Sequence, residues 1–164
     1  MHQANVEKLA RALGTTPSFL TGDTFSAVQP VTAKTLPVLG RAAASAIGSE
    51  NIIEDPIEWM PLPTALVGVR DAYALLVEGD SMMPLYKPRD PIAAHPRQPV
   101  SPGDIIVIQE ERDGAIYASV KEFVRKTDTE LVALQYNPPA ELKFKLKHIR
   151  TIHRILPWRE LIGI

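Results

Sequence analysis

Short apolar segments separated by turn residues dominate the chain after residue 36. Each segment has the length of a strand, and Pro, Gly and Asp lie between them, as in strands joined by turns. Asp113-Gly114 is the clearest hairpin signal, because a two-residue turn needs positive φ at these positions. The pattern therefore predicts a mostly-β domain over about 36–164. The predicted strands are Leu36–Leu39, Ala72–Val77, Ile92–Ala94, Ile105–Gln109, Ala115–Val120, Leu131–Leu134 and Ile149–Leu156.

The first 22 residues follow a different pattern. Apolar residues recur at helical spacing over 6–13, and Thr16-Pro17 predicts the start of a second short helix. About twenty residues are too few to form a hydrophobic core alone. We therefore interpret 1–22 as a short helical stub, the end of a helical domain. Residues 23–35 are rich in Thr, Ser and Ala without a periodic apolar face, which predicts a linker.

Composition excludes several classes of protein. Fifteen prolines in 164 residues argue against a helical bundle, and 18 basic against 19 acidic residues exclude a generally basic nucleic-acid-coating protein. The absence of cysteine excludes disulfides, thiolate zinc sites and cysteine nucleophiles, and fits a cytoplasmic protein. No histidine, carboxylate or glycine cluster has metal or phosphate spacing, so we expect neither metal nor cofactor. No apolar stretch is long enough for a membrane span.

The charges are unevenly distributed along the chain. All charged residues between Ala42 and Val69 are acidic, whereas six basic and two acidic residues follow from Glu141 onward. Lys143, Lys145 and Lys147 alternate with apolar residues, so we expect all three on one strand face. Such lysines are ordinary on a solvated strand, and a partner-binding or phosphate-binding role is the alternative.

The candidate chemistry lies in 77–84, which reads VEGDSMMP. A strand runs into Gly79-Asp80 and Ser81 follows on the turn, where backbone N–H groups can face a developing oxyanion. Lys121 comes 40 residues later on a predicted strand. It can serve as a base for Ser81 only when neutral, which burial favours by lowering its pKa. The alternative interpretation is an ordinary Gly-Asp-Ser turn and a lysine that points to water.

These residues belong to an ordered set of motifs that resembles the LexA and phage-repressor family of serine–lysine self-cleaving repressors. The resemblance implies a LexA/signal-peptidase-like β domain, with Ser81 as nucleophile and Lys121 as general base. It also implies that the backbone N–H groups of Asp80 and Ser81 are the oxyanion donors. The matching segments are LPVLGRAAA (36–44), VEGDSMMP (77–84), PGDIIV (102–107), SVK (119–121) and QYNP (135–138).

The resemblance further implies a cleavage site. The family cuts itself between its two domains, usually between alanine and glycine, and aligning 40–44 places the bond at Ala44-Ser45. Ser45 stands where the family has glycine, and Arg89-Asp90 replaces the usual Gly-Asp after the serine motif.

The resemblance also implies a domain organisation and partners. Residues 1–22 resemble the C-terminal remnant of a helix-turn-helix DNA-binding domain, and 36–164 would be the self-cleaving, dimerising domain. We expect a homodimer, DNA binding only through a full-length helix-turn-helix domain, and a RecA filament as the trigger.

Two functions stay open at this point. One is an intramolecular peptidase, which Ser81 and Lys121 favour; the other is a non-cleaving dimerisation module, which Ser45 favours. A membrane-associated peptidase, like the signal peptidases with a similar serine motif, would need an apolar anchor that the sequence lacks.

Overall fold

The computed structural model describes residues 34–43, 50–51, 56–112 and 114–164. The predicted helical stub, nearly all of the linker, and both Ala44 and Ser45 lie outside these residues. The strands are β1 (Thr35–Ala43), β2 (Glu50–Asn51), β3 (Glu58–Pro61), β4 (Tyr73–Glu78), β5 (Pro91–His95), β6 (Ile105–Arg112), β7 (Ala115–Lys126), β8 (Glu130–Tyr136), β9 (Pro139–Lys145) and β10 (Ile149–Ile155). Two 3-10 turns, Thr64–Leu66 and Leu146–His148, and helix α1 (Trp158–Ile162) complete the described elements.

One sheet connects these strands, in the order β3-β1-β4-β5-β10-β6-β7-β8-β9, with β2 paired to β7. Most neighbours are antiparallel, but β1 runs parallel to β4. The last residue of β1 is paired twice, because Ala43 lies beside Glu78 of β4 and beside Ser119 of β7. The end of β1 therefore brings the end of β4 and the middle of β7 to one place.

The structure confirms the mostly-β prediction. Each of the seven predicted apolar segments falls in a strand, with ends that differ by a few residues. The hairpin expected at Asp113-Gly114 joins β6 to β7, since Arg112 pairs with Ala115 and Gly114 has a φ of 77°. Asp113 itself lies outside the described residues. Among the described residues, no helix is long and apolar enough to cross a membrane.

Three features differ from the sequence-based expectation. The lysine prediction was wrong in part: Lys143 and Lys145 lie on β9, but Lys147 lies on the following 3-10 turn and does not share their strand face. Strands β2 and β3 were not predicted, because their polar and proline-containing sequences carry no apolar run. Helix α1 was not predicted either, because its five residues are too few to show a helical periodicity.

The main core lies against the turn that carries Ser81. Val77 at the end of β4, Val107 on β6 and Val120 on β7 are buried in one cluster with Met82. Met82 is 0% exposed, and burying such a side chain contributes about 1.5–3 kcal/mol. The residue after the serine is therefore fixed in the core.

Candidate active site

Ser81 lies on a tight turn directly after β4. The strand ends at Glu78, and Gly79 has a φ of 78°, a left-handed conformation that glycine adopts without a side-chain clash. Because Met82 packs into the core, the turn places Ser81 at the end of the sheet beside β7. Ser81 is only 1% exposed.

Lys121 of β7 points at this serine. Its Nζ atom donates a hydrogen bond to Ser81 Oγ at 3.0 Å, and the lysine is 0% exposed. Ile106 lies opposite it on β6. Burial lowers the pKa of Lys121 from 10.5 to about 8, because a charged ammonium loses its hydration there. About a tenth of such lysines are neutral at pH 7, and a neutral amine can accept the serine proton.

The segment 135–138 is hydrogen-bonded to the turn that carries Ser81. The backbone N–H groups of Tyr136 and Asn137 both donate to the Ser81 carbonyl, each at 2.8 Å. The Asn137 side-chain amide donates to the Asp80 backbone carbonyl at 3.3 Å and to Asp80 Oδ2 at 3.2 Å. Asn137 was not predicted as a site residue. The QYNP motif was its only sequence signal, and a motif match alone assigns no role to an amide.

A second connection joins this segment to the strand of the lysine. The Tyr136 hydroxyl donates to the carboxylate of Glu122, the residue after Lys121. Burial and the nearby Glu122 carboxylate raise the pKa of Tyr136 to about 12, so the phenol remains a donor over the ordinary pH range. Gln135 in turn donates to the backbone carbonyls of Asn137 and Pro138. The segment is thus fixed to both β7 and the Ser81 turn.

The backbone N–H groups named by the resemblance have no hydrogen-bond acceptor among the described residues. Neither the Asp80 N–H nor the Ser81 N–H donates a hydrogen bond to another described residue, whereas the Asp80 carbonyl accepts one from the Met83 N–H at 2.9 Å. An oxyanion that forms next to Ser81 Oγ requires such unpaired donors. Their role as oxyanion donors stays a prediction.

Ser119 is a further buried polar residue near the lysine. It lies two residues before Lys121, which places both side chains on one face of β7. Its Oγ atom makes no hydrogen bond within the described part of the chain. Ala43 pairs with Ser119, and Glu50 of β2 pairs with the preceding residue, Ala118. The described residues on both sides of 44–49 are therefore paired with the strand that carries Lys121.

Arg89 has a left-handed backbone conformation, which glycine adopts more readily than other residues. Its φ is 75°, a region that residues with a Cβ adopt at a cost of about 1–2 kcal/mol. The Arg89 N–H donates to the Val77 carbonyl at 2.7 Å, and the Val77 N–H donates to the Asp90 carbonyl at 2.9 Å. The turn around Arg89 thus pairs with the end of β4, just before the serine.

Within the described residues, no group of three or more His, Asp or Glu side chains could hold a metal ion. The polar residues of the site are instead the serine, the lysine and the backbone and amide groups around them.

Comparison with known proteins identifies the family. The chain belongs to the Peptidase S24-like family, whose model matches residues 37–152. It is 35% identical over 134 residues to Repressor protein C of Rhizobium phage 16-3, a match that covers 79% of this chain and 51% of that protein. It is 33% identical over 108 residues to the LexA repressor of Shouchella clausii, covering 65% and 48% of the two chains.

A second LexA repressor, from Halalkalibacterium halodurans, is 34% identical over 94 residues, covering 57% of this chain and 43% of the repressor. The resemblance to the LexA and phage-repressor family is therefore confirmed. The matches span about half the length, or somewhat less, of these curated relatives.

Proposed function

We propose that this chain is the C-terminal part of a phage-type or LexA-like transcriptional repressor that cleaves its own interdomain segment. The expected bond is Ala44-Ser45, with Ser81 as nucleophile and Lys121 as general base. The observation that carries the proposal is the 3.0 Å contact between the Lys121 amine and the Ser81 hydroxyl, both fully buried. The repressor names of the relatives support the same function.

The proposed reaction has two halves. In the first, neutral Lys121 takes the hydroxyl proton as Ser81 Oγ attacks the Ala44 carbonyl carbon, and the backbone N–H groups of Asp80 and Ser81 stabilise the oxyanion. The Ala44–Ser45 bond then breaks as Lys121 returns its proton to the departing amine of Ser45. In the second half, water attacks the Ala44 ester on Ser81 with Lys121 as base, releasing the Ala44 carboxylate and the Ser81 hydroxyl.

The course of β1 supports this choice of bond. Ala43, the residue before Ala44, pairs with Ser119, which lies two positions from Lys121 along β7. A reaction within one chain needs no encounter between two molecules, and such positioning contributes several kcal/mol to the rate. The segment to be cut and the two residues that cut it, Ser81 and Lys121, would thus belong to the same chain.

The proposal extends to the partners and place of action. We propose a cytoplasmic homodimer formed through the β domain, with a RecA filament as the inducing partner. Sequence-specific DNA binding would require the recognition helix of a complete helix-turn-helix domain. Accordingly, the β domain over 36–164 should not by itself bind one duplex in preference to a scrambled duplex at physiological salt.

Alkaline incubation tests the catalytic proposal. The purified chain, held at about pH 9.5 where Lys121 is neutral, should release a fragment whose N-terminus is Ser45. Ser81→Ala and Lys121→Ala should each abolish cleavage while retaining the β-rich circular dichroism spectrum of the parent. Cleavage that persists in Ser81→Ala would assign the nucleophile elsewhere and reject the proposal.

A non-cleaving dimerisation module is the second candidate. Ser45 favours it, because serine adds a Cβ and a hydroxyl where glycine is usual. This candidate predicts a stable dimer and no fragment from the parent at any pH, with cutting at most in a Ser45→Gly variant. Fragment formation by the parent would reject it.

A further inference from the structure

A groove follows the outer edge of β9. This strand is last in the order of the sheet and, among the described residues, pairs only with β8. The groove has a volume of about 390 Å³, within the range of ligand-binding clefts. Its lining includes four consecutive residues, Leu142 to Lys145. Because consecutive side chains of a strand point to opposite faces, a groove lined by all four lies along the edge of β9.

The groove is positively charged. Lys143 and Lys145 are exposed, and no carboxylate within the described part of the chain forms a salt bridge with either. On the opposite wall, Arg112 contacts the buried Glu110 at 2.6 Å, which neutralises that pair. His148 completes the lining. The two lysines therefore place positive charge beside the strand edge, and although Glu130 of β8 lies directly opposite Lys145, it forms no salt bridge with it.

Apolar side chains alternate with these lysines. Leu142 and Phe144 are half-buried, whereas Lys143 and Lys145 are exposed, which gives β9 its alternating pattern. In an added strand, each residue lies about 4.5–5.5 Å from the residue directly opposite. Carboxylates at alternate positions of such a strand would meet Lys143 and Lys145, and apolar residues between them would meet Leu142 and Phe144.

We propose that the edge of β9 binds an extended segment of another protein, in which acidic and apolar residues alternate, by addition of a strand to the sheet. The edge supplies backbone donors and acceptors, and the groove supplies charge and apolar contact. This mode of recognition takes affinity from the backbone hydrogen bonds and specificity from alternate side chains.

Two other occupants fit the surface less well. A second copy that paired through its own β9 would bring lysines opposite lysines, and like charges directly opposite each other destabilise a strand pair. A nucleic acid would contact the lysines, but it would use neither the strand edge nor Leu142 and Phe144. The lysines thus disfavour self-association and favour an acidic strand.

Peptides of identical composition test the proposal. One is a capped seven-residue peptide with alternating Glu and Val, and the other groups the same residues in two blocks. With the full chain carrying Ser81→Ala to prevent cutting, the alternating peptide should bind at least tenfold more tightly by fluorescence anisotropy. Lys143→Glu/Lys145→Glu should lose at least tenfold of that affinity. Lys34 is an exposed lysine directly before β1, so Lys34→Glu is the matched charge control and should bind as the parent does.

A second measurement examines the strand edge itself. N-methylation at alternate positions of the peptide removes backbone donors without changing charge. Of two peptides, one methylated at the odd positions and one at the even positions, only one should lose binding. Equal binding of the alternating and block peptides, or of the two methylated peptides, would overturn the proposal. So would random duplex DNA that binds more tightly than the alternating peptide, or a dimer that dissociates only in the Lys143→Glu/Lys145→Glu variant.

Discussion

Ala43 at the end of β1 is paired with Ser119 of β7, two residues before Lys121. The same residue is paired with Glu78, three residues before Ser81. The two strands that carry the proposed base and nucleophile therefore meet where β1 ends. The bond expected to be cut, Ala44–Ser45, begins at the next residue. Because this bond follows directly on the paired residue Ala43, we expect the side chain at position 45 to affect the rate of cleavage.

Replacing Ser45 by glycine should accelerate self-cleavage. Glycine has no Cβ and reaches backbone conformations that serine avoids, and the serine hydroxyl must lose water on entering a narrow site. A misfit of about 1–3 kcal/mol for such small groups corresponds to a change in rate of roughly tenfold to a hundredfold. The measurement is the rate of fragment formation at alkaline pH, with the new N-terminus sequenced.

The parent chain should accordingly remain largely uncut near neutral pH. Equal rates for Ser45→Gly and the parent would show that serine is tolerated at this position. A fragment that begins at a residue other than 45 would show that the alignment of Ala44-Ser45 is wrong.

Self-cleavage should accelerate with pH up to the titration of Lys121. Burial lowers the pKa of this lysine to about 8, and only the neutral amine can act as a base. The rate should rise about tenfold per pH unit below this value and level off above it. A time course of fragment formation between about pH 6 and 10 measures the midpoint. A rate that is constant or falls over that range would exclude a lysine base.

Lys121→Met should stabilise the fold, most strongly below pH 8. The unfolded lysine titrates near 10.5 and the folded one near 8, so the unfolded chain binds more protons between these values and stability of the parent rises with pH there. Below pH 8 the buried charge costs about 3 kcal/mol, partly offset by the hydrogen bond to Ser81.

Urea unfolding of both proteins at about pH 7 and pH 10 measures this difference. The advantage of the methionine variant should shrink at about pH 10, because the lysine of the folded parent is then neutral and no longer carries a buried charge. An advantage independent of pH would show that Lys121 is protonated in the folded chain.

Asn137→Ala should slow cleavage without moving its pH midpoint. The amide holds the carbonyl and carboxylate of Asp80, and a displacement of about 1 Å at a nucleophile can cost about a hundredfold in rate. We expect a decrease of about tenfold to a hundredfold, with the midpoint still near pH 8 because Lys121 remains buried.

Gln109→Ala is the matched amide control, since Gln109 contacts Tyr73 and Thr151 rather than the serine turn. It should cut at the parent rate. A shift of the midpoint in Asn137→Ala, or an equal loss in Gln109→Ala, would indicate a general loss of structure instead of misplacement of the turn.

The sequence predicts the strands that bury apolar residues on a regular pattern, and it identifies Ser81 and Lys121 through the family motifs. It does not reveal β2 and β3, because they are formed by pairing with strands that are distant in the chain. Polar and proline-rich segments give no local signal for such pairing. Periodicity alone would also have continued the β9 strand through Lys147, which the 3-10 turn at Leu146–His148 ends.

The hydrogen bonds that support the serine turn could not be predicted from the sequence either, although QYNP matches a family motif. The bonds from Tyr136 and Asn137 to the Ser81 carbonyl use main-chain N–H groups, which every residue except proline carries. Arg89 shows the opposite case: its departure from the family glycine is visible in the sequence, whereas its positive φ of 75° is seen only in the structure.

The dependence of Ser81 on Tyr136 and Asn137 has a consequence for synthesis of the protein. A ribosome makes the proposed scissile bond about ninety residues before it completes the segment that holds the nucleophile. At about 5–20 residues per second, the interval is roughly 5–20 seconds. From the translation of Ser81 to that of Asn137, the nascent chain carries both the bond and the serine without the hydrogen bonds that orient the serine turn. The order of translation would therefore delay the proposed self-cleavage until Tyr136 and Asn137 have been made.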